Sequence, residues 1–75
     1  MADGERIRIE IAFDGGQVMS PLVTSESIEA LERALSSNAD GTLELEADDG
    51  RYAVVLRRVV YVKRFAREAR VGFGA

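Results

Sequence analysis

The sequence predicts an α+β domain: a small antiparallel sheet of four to five strands, in the order β-β-α-β-β with a fifth strand at the end, and one helix packed on one face. Three observations carry this. Residues 6–13 alternate strictly, with Ile7, Ile9, Ile11 and Phe13 on one side and Arg6, Arg8, Glu10 and Ala12 on the other, the period-2 pattern of a half-buried strand. Residues 42–65, TLELEADDGRYAVVLRRVVYVKRF, hold two alternating runs that meet at Asp49-Gly50, a strong short-range hairpin signal. Between these regions, Ile28, Leu31, Ala34 and Leu35 recur at helical spacing.

The elements follow in chain order. Asp14-Gly15-Gly16 reads as a turn, and Gln17–Val23 as a second strand that forms a hairpin with the first. Pro21 cannot donate to a ladder, so this strand is expected on an edge or with a bulge at Pro21. Thr24 is placed to cap the helix by accepting a free N–H of its first turn. Val23 and Ile28 stand at hydrophobic-staple spacing, and Glu26 and Glu29 suit the positive end of the helix dipole. Ser36-Ser37-Asn38 ends the helix, with Asn38 suited to the left-handed cap conformation. Asp40-Gly41 turns into the closing hairpin.

In that hairpin, a type I′ turn at Asp49-Gly50 sets Asp48 against Arg51, Ala47 against Tyr52, Leu45 against Val54 and Leu43 against Leu56. The last three pairs put only apolar side chains on one face. Beyond them, Arg57-Arg58 interrupts an apolar run longer than the roughly five or six residues of a usual strand. A bend or bulge is expected there, with Val59–Phe65 continuing as an arm or fifth strand.

Seventy-five residues make a single domain, 1–75, with 1–5 and 66–75 expected as loose tails. A chain of this size buries only about 60% of its unfolded surface, and such domains usually add disulfides, a metal or a partner. Cysteine is absent, so no disulfide or thiolate metal site is expected. Histidine is absent too, which removes the usual general base near neutral pH and the commonest transition-metal ligand. A partner subunit is the support that remains. The helix covers only part of the sheet, and Val55, Val59, Tyr61 and Phe65 are expected on the uncovered face. An exposed apolar face marks an interface, so a homodimer is the simplest expectation. No apolar run approaches the about 20 residues of a membrane span, and the acidic start does not read as a secretory signal; the cytoplasm is the expected location.

Charge is unevenly spread. Residues 1–50 hold twelve acids against three bases, net −9, and residues 51–75 hold seven bases against one acid, net +6, which together return the net −3. One reading is an acidic strand lying beside a basic one, each neutralising the other. The alternative is nucleic-acid binding: Arg57, Arg58, Lys63, Arg64, Arg67 and Arg70 interleave with Tyr61 and Phe65, and cations with exposed rings can hold a single strand by its phosphates and bases. The acidic balance, with pI near 4.9, speaks against that reading, as nucleic-acid-binding domains usually lie above about 9.

Little in the chain points to catalysis. Asp14-Gly15-Gly16 and Gly72-Phe73-Gly74 do not match a phosphate loop. Glu46, Asp48 and Asp49 cluster at a turn whose Asp-Gly serves backbone geometry, and they lack the spread of a calcium loop. Ser20, Ser25, Ser27, Ser36 and Ser37 have no His or Cys to activate them, and nothing places Lys63, the single lysine, beside a serine. No catalytic, cofactor or metal residue is therefore assigned, and a binding role is expected ahead of an enzymatic one.

Gly50-Arg51, Val60-Tyr61-Val62 and the closing Val71-Gly72-Phe73-Gly74 resemble a family of small uncharacterised actinobacterial proteins of about this length. The order of an opening hairpin, one Glu-rich helix and a closing hairpin fits that family as well. The chain departs from it at Leu56-Arg57-Arg58, where the family has a Val-Pro-type turn, and at Lys63-Arg64, where it is acidic or apolar. The family has no established function. The resemblance implies a role for the terminal Val-Gly-Phe-Gly, with Phe73 docking on a neighbour.

Overall fold

The computed structural model describes residues 6–65. Its elements are β1 (Arg6–Phe13), β2 (Val18–Met19), β3 (Leu22–Thr24), α1 (Ser25–Ser36), β4 (Thr42–Ala47), β5 (Gly50–Val55), a single 3₁₀ turn at Leu56–Arg58, and β6 (Val59–Arg64). The α+β class and the antiparallel sheet with one helix are as the periodicities predict. The strand order is β6-β1-β2/β3-β4-β5, so β1 is central, with β6 on one side and the β2–β3 segment on the other.

This order makes the sheet curl. β5 and β6 stand at opposite ends, four strand spacings of about 4.8 Å apart, roughly 19 Å in a flat sheet. The link from Val55 to Val59 reaches at most about 14 Å. The sheet must bend to bring its ends within that reach, and buried Leu56 fills the corner. Two bonds fix the link: Leu56 N–H donates to Gly41 C=O at 2.9 Å, and Asp14 N–H to Arg58 C=O at 2.9 Å. The expected bend at Arg57-Arg58 is this turn, and Val59–Arg64 is a strand of the sheet, the sixth because the expected second strand is split in two.

The core lies between the curled sheet and α1, which packs on β1, β3 and β4. Ile9, Ile11, Val23, Ile28, Leu31 and Leu45 are its fully buried side chains. Residues opposite one another in a ladder share a face. The pairs Ile7–Val23, Val23–Ala47, Leu45–Tyr52 and Leu43–Val54 therefore line one apolar face on the helix side. Ile28 and Leu31 are buried and Ala34 and Leu35 partly so, as the helical spacing implies.

Both helix ends are capped by the residues that suit them. Thr24 Oγ1 accepts from Ser27 N–H at 3.1 Å. At the other end Asn38 takes φ 57°, with Asn38 N–H on Leu35 C=O and Ala39 N–H on Ala34 C=O, the bond pair of a Schellman cap.

Two local expectations are corrected. In the closing hairpin, Leu45 faces Tyr52 rather than Val54, Leu43 faces Val54 rather than Leu56, and Ala47 faces Gly50 rather than Tyr52. The loop residues are Asp48 and Asp49, neither with positive φ; Gly50 alone takes it, at 141°. A primed turn is thus ruled out, and the glycine serves one position later than expected. The shift is two residues, which leaves every side chain on its expected face, so the apolar pattern had no power to choose between the two registers.

The second correction is the strand expected over Gln17–Val23, which is broken at Ser20-Pro21 into β2 and β3. Of the two settings expected for Pro21 the edge is the one found: β2 and β3 keep one constant register against β1 on both sides of it, so there is no bulge. Pro21 C=O accepts from Ile9 N–H at 3.1 Å, while its nitrogen has no hydrogen to return, so one ladder bond is missing. The residue lies where the strand passes from the interior, with β4 beside Val23, to a stretch flanked by β1 alone.

Candidate interaction surface

The side of the sheet away from α1 is the outer face. Across its middle, Val18 of β2 and Tyr61 of β6 flank Ala12 of β1 in one row. Val18 is 55% exposed and Tyr61 45%. Lys63 follows Tyr61 on the same face, opposite Glu10, and Phe65 comes next, 39% exposed. The Lys63 ammonium lies 4.7 Å from the centre of the Phe65 ring, within cation–π range. Tyr61 donates its hydroxyl to Glu10 Oε2, and that bond, with a smaller effect of burial, raises its pKa above the ordinary value. Phe65 N–H donates to Arg8 C=O at 3.1 Å, which fixes the end of the row.

The structure divides the residues expected at an interface. Tyr61 and Phe65 stand together on the outer face, and Val55 is exposed on the same face at the far end of the sheet, on β5. Val59 does not join them. It is half-buried and packs against the core, because a register shift between Ala12–Tyr61 and Phe13–Val59 leaves Val60 as an extra residue. Val60 takes the exposure instead, at 64%. Phe73 lies outside the described residues. Val18 was missed because Gln17–Val23 sets Val18 beside Met19 and Leu22 beside Val23, a pattern without alternation from which no face can be read.

The basic residues are likewise spread over several surfaces. Arg64 faces the helix side opposite Ile9 and grips Glu32 of α1 with two bonds, at 2.8 and 3.2 Å; that contact raises its pKa further. Arg58 lies 3.6 Å from Asp14. Arg57 has no ion pair among the described residues. Lys63 alone stands with the aromatic rings. Arg67 and Arg70 lie outside the described residues. Cross-strand neutralisation in the closing hairpin comes down to Arg51 and Glu44, 3.5 Å apart; the other described ion pairs reach the helix and the first turn.

Two polar groups have structural tasks. Ser27 is buried, and its Oγ accepts from Glu46 N–H at 2.9 Å and from the Thr24 hydroxyl at 2.9 Å. β3 is too short to pair with β4 at Glu46, and the helix serine supplies the acceptor that a strand would have offered. In the acidic turn, Tyr52 donates to Asp49 Oδ2 at 2.8 Å. That bond leads the causes raising the Tyr52 pKa. Among the described residues no three His, Cys, Asp or Glu side chains group so as to hold a metal ion, and no helix is long and apolar enough to cross a membrane.

One apolar cleft opens at the curled side of the sheet. It has a volume of about 250 Å³ and lies between the β1–β2 turn and β5, with Phe13, Met19, Tyr52 and Val54 among its walls. A larger depression of about 510 Å³, between the end of α1 and the 3₁₀ turn, is mainly polar and includes Asn38, Asp40 and Arg57. The sheet and one-helix architecture with an uncovered outer face defines the class as α+β. No family model, curated protein or solved structure matches the chain.

Proposed function

We propose that this chain is a small cytoplasmic binding or adaptor domain, without catalysis of its own, that self-associates through the outer face of its sheet. The observation that carries the reading is the row Val18–Ala12–Tyr61, extended by Phe65: Val18 of β2 and Tyr61 of β6 stand exposed on either side of the small, buried Ala12, with the exposed Phe65 ring beyond them. Stripping water from such a row stabilises a complex by roughly 25 cal/mol per Å² of apolar surface, less the cost of association. A chain this small gains from adding a partner's surface to its own core.

The test is light scattering on the full chain with Tyr61→Glu. Tyr61 is half exposed, so the fold tolerates the change, whereas a charge at the centre of the contact weakens a dimer by about 2 kcal/mol or more, at least about 30-fold in Kd. A variant that dimerises as tightly as the parent chain would refute the outer face as the contact.

A second reading rests on Tyr61, Lys63 and Phe65 at alternate positions of one strand. Rings with a cation between them form a platform on which single-stranded nucleic acid stacks. Under this reading Lys63→Ala weakens oligonucleotide binding and lowers its salt dependence; binding that ignores salt excludes it.

A further inference from the structure

β5 ends the sheet, and among the described residues no strand lies beyond it. The phase of its ladder follows from Leu56, whose N–H reaches Gly41 C=O. Antiparallel pairs alternate between hydrogen-bonded and non-hydrogen-bonded. Val54, Tyr52 and Gly50 therefore turn their backbone groups to β4, and Arg51, Ala53 and Val55 turn theirs outward. All three outward residues are exposed. Natural edge strands are usually guarded by bulges, prolines, brevity or several charges. β5 has six residues, no bulge, no proline and one charge, Arg51. Its flanks carry opposite charge, with Asp48-Asp49 before it and Arg57-Arg58 after it.

We propose that a second copy of this chain adds antiparallel to the free edge of β5, with the two-fold axis at Ala53. In that register Arg51 meets Val55 of the second copy, Ala53 meets its own counterpart, and Val55 meets Arg51 of the second copy. Each of these pairs is of the bonded kind and exchanges two backbone hydrogen bonds. At each end of this pairing the turn before β5, with Asp49, comes beside the 3₁₀ turn of the second copy, where Arg57 has no ion pair among the described residues. The two-fold axis repeats the contact. A slip by one bonded pair in either direction loses a pair, and a slip that sets Arg51 against its counterpart places like charges opposite each other. On the helix side Tyr52 meets Val54 of the second copy, at the mouth of the apolar cleft. The strand chemistry and the charge order of its flanks thus select the same partner and the same register.

This inference rests on the reading that the chain self-associates, and it adds a contact at the opposite end of the sheet from Tyr61. The experiment follows light scattering and amide hydrogen exchange of the full chain over a concentration series. As the chain associates, the Arg51, Ala53 and Val55 amides gain at least about ten-fold protection. Ala53→Pro removes an outward N–H and leaves the β4–β5 ladder whole; it weakens association at least about ten-fold while the circular-dichroism melt holds. Arg57→Glu weakens association, and Asp49→Lys in the same chain restores it. Unchanged exchange at the three amides overturns the proposal, and so does protection that appears only with an added extended peptide. If Tyr61→Glu lowers the mass and Ala53→Pro does not, the edge contact fails and the outer face stands; the reverse result sinks the face alone. A chain that stays monomeric to about 1 mM removes both.

Discussion

β5 and β6 close opposite ends of one sheet and are equally long, yet they are built on different terms. β6 carries an extra residue at Val60, sets Lys63 on its outer side and commits Arg64 to Glu32 of the helix. Those are devices that keep further strands away. β5 runs regularly, with Arg51 as its one charge, and turns three peptide units away from β4, with no strand beyond them among the described residues. The two ends also differ in what they expose. β6 presents side chains, Tyr61 and Phe65, whereas β5 presents backbone. The difference teaches that one small sheet can offer two kinds of contact: an apolar face at the guarded end and a hydrogen-bonding edge at the unguarded one.

The comparison can be broken outright at the strand both ends depend on. Ile11 is fully buried on β1 and pairs with Met19 on one side and Val62 on the other. Ile11→Ala is expected to cost about 2–5 kcal/mol, read as a lower urea midpoint. Backbone amides of β6 and β2 are expected to lose protection together, and loss at one end only would show that the ends are not tied through β1.

Ser27→Ala tests the side of the sheet that leads to β5. It leaves Glu46 N–H without its acceptor, at a cost of about 1–3 kcal/mol. Ser27→Thr keeps the hydroxyl and is expected to recover part of the loss. An unchanged melting temperature in the alanine variant would mean that the bond contributes nothing to holding β4 against the helix.

The β6 side is probed more gently. Glu32→Gln weakens the grip on Arg64, and because both side chains are well exposed the expected loss is about 0.2–1 kcal/mol. A double-mutant cycle with Arg64→Gln isolates the pair. Smallest of all is an alkaline effect. Tyr61 and Tyr52 have pKa values raised chiefly by hydrogen bonds to Glu10 and Asp49. A raised folded pKa gives stability that is fully present below the unfolded value of 10.0 and is lost as pH rises through the folded value. The two tyrosines, with no tryptophan to mask them, should ionise late in ultraviolet titration. Glu10→Gln should return one of them toward 10.0; late ionisation of both in that variant would show that Glu10 is not the cause.

Much of this architecture could be read from residue patterns, and the failures have definite causes. The alternation of Ile7 to Phe13, the helical spacing of Ile28 to Leu35, the Thr24 cap and the Asn38 stop were all legible, because each is local and repeats with the period of its element. The hairpin register was not, since registers two residues apart bury the same side chains and differ only in turn geometry. Of the surface residues, Tyr61 and Phe65 were legible as exposed rings. Val59 was misplaced because the extra residue at Val60 is a property of how β6 meets β1, and Val18 went unread because it stands next to Met19 in a stretch whose apolar residues do not alternate.

Composition and neighbours along the chain were enough to set the α+β class, the single helix between two strand regions, both helix caps and the absence of thiol or imidazole chemistry. Only the tertiary structure decided that β6 returns to β1 rather than extending the closing hairpin. It also decided that Ser27 completes the ladder of β4, that Arg64 is spent on Glu32, and that β5 is left with a free edge. Each of these joins residues far apart in the chain, where no local period or cap carries the information and the cost of closing the loop is met only by contacts formed on folding.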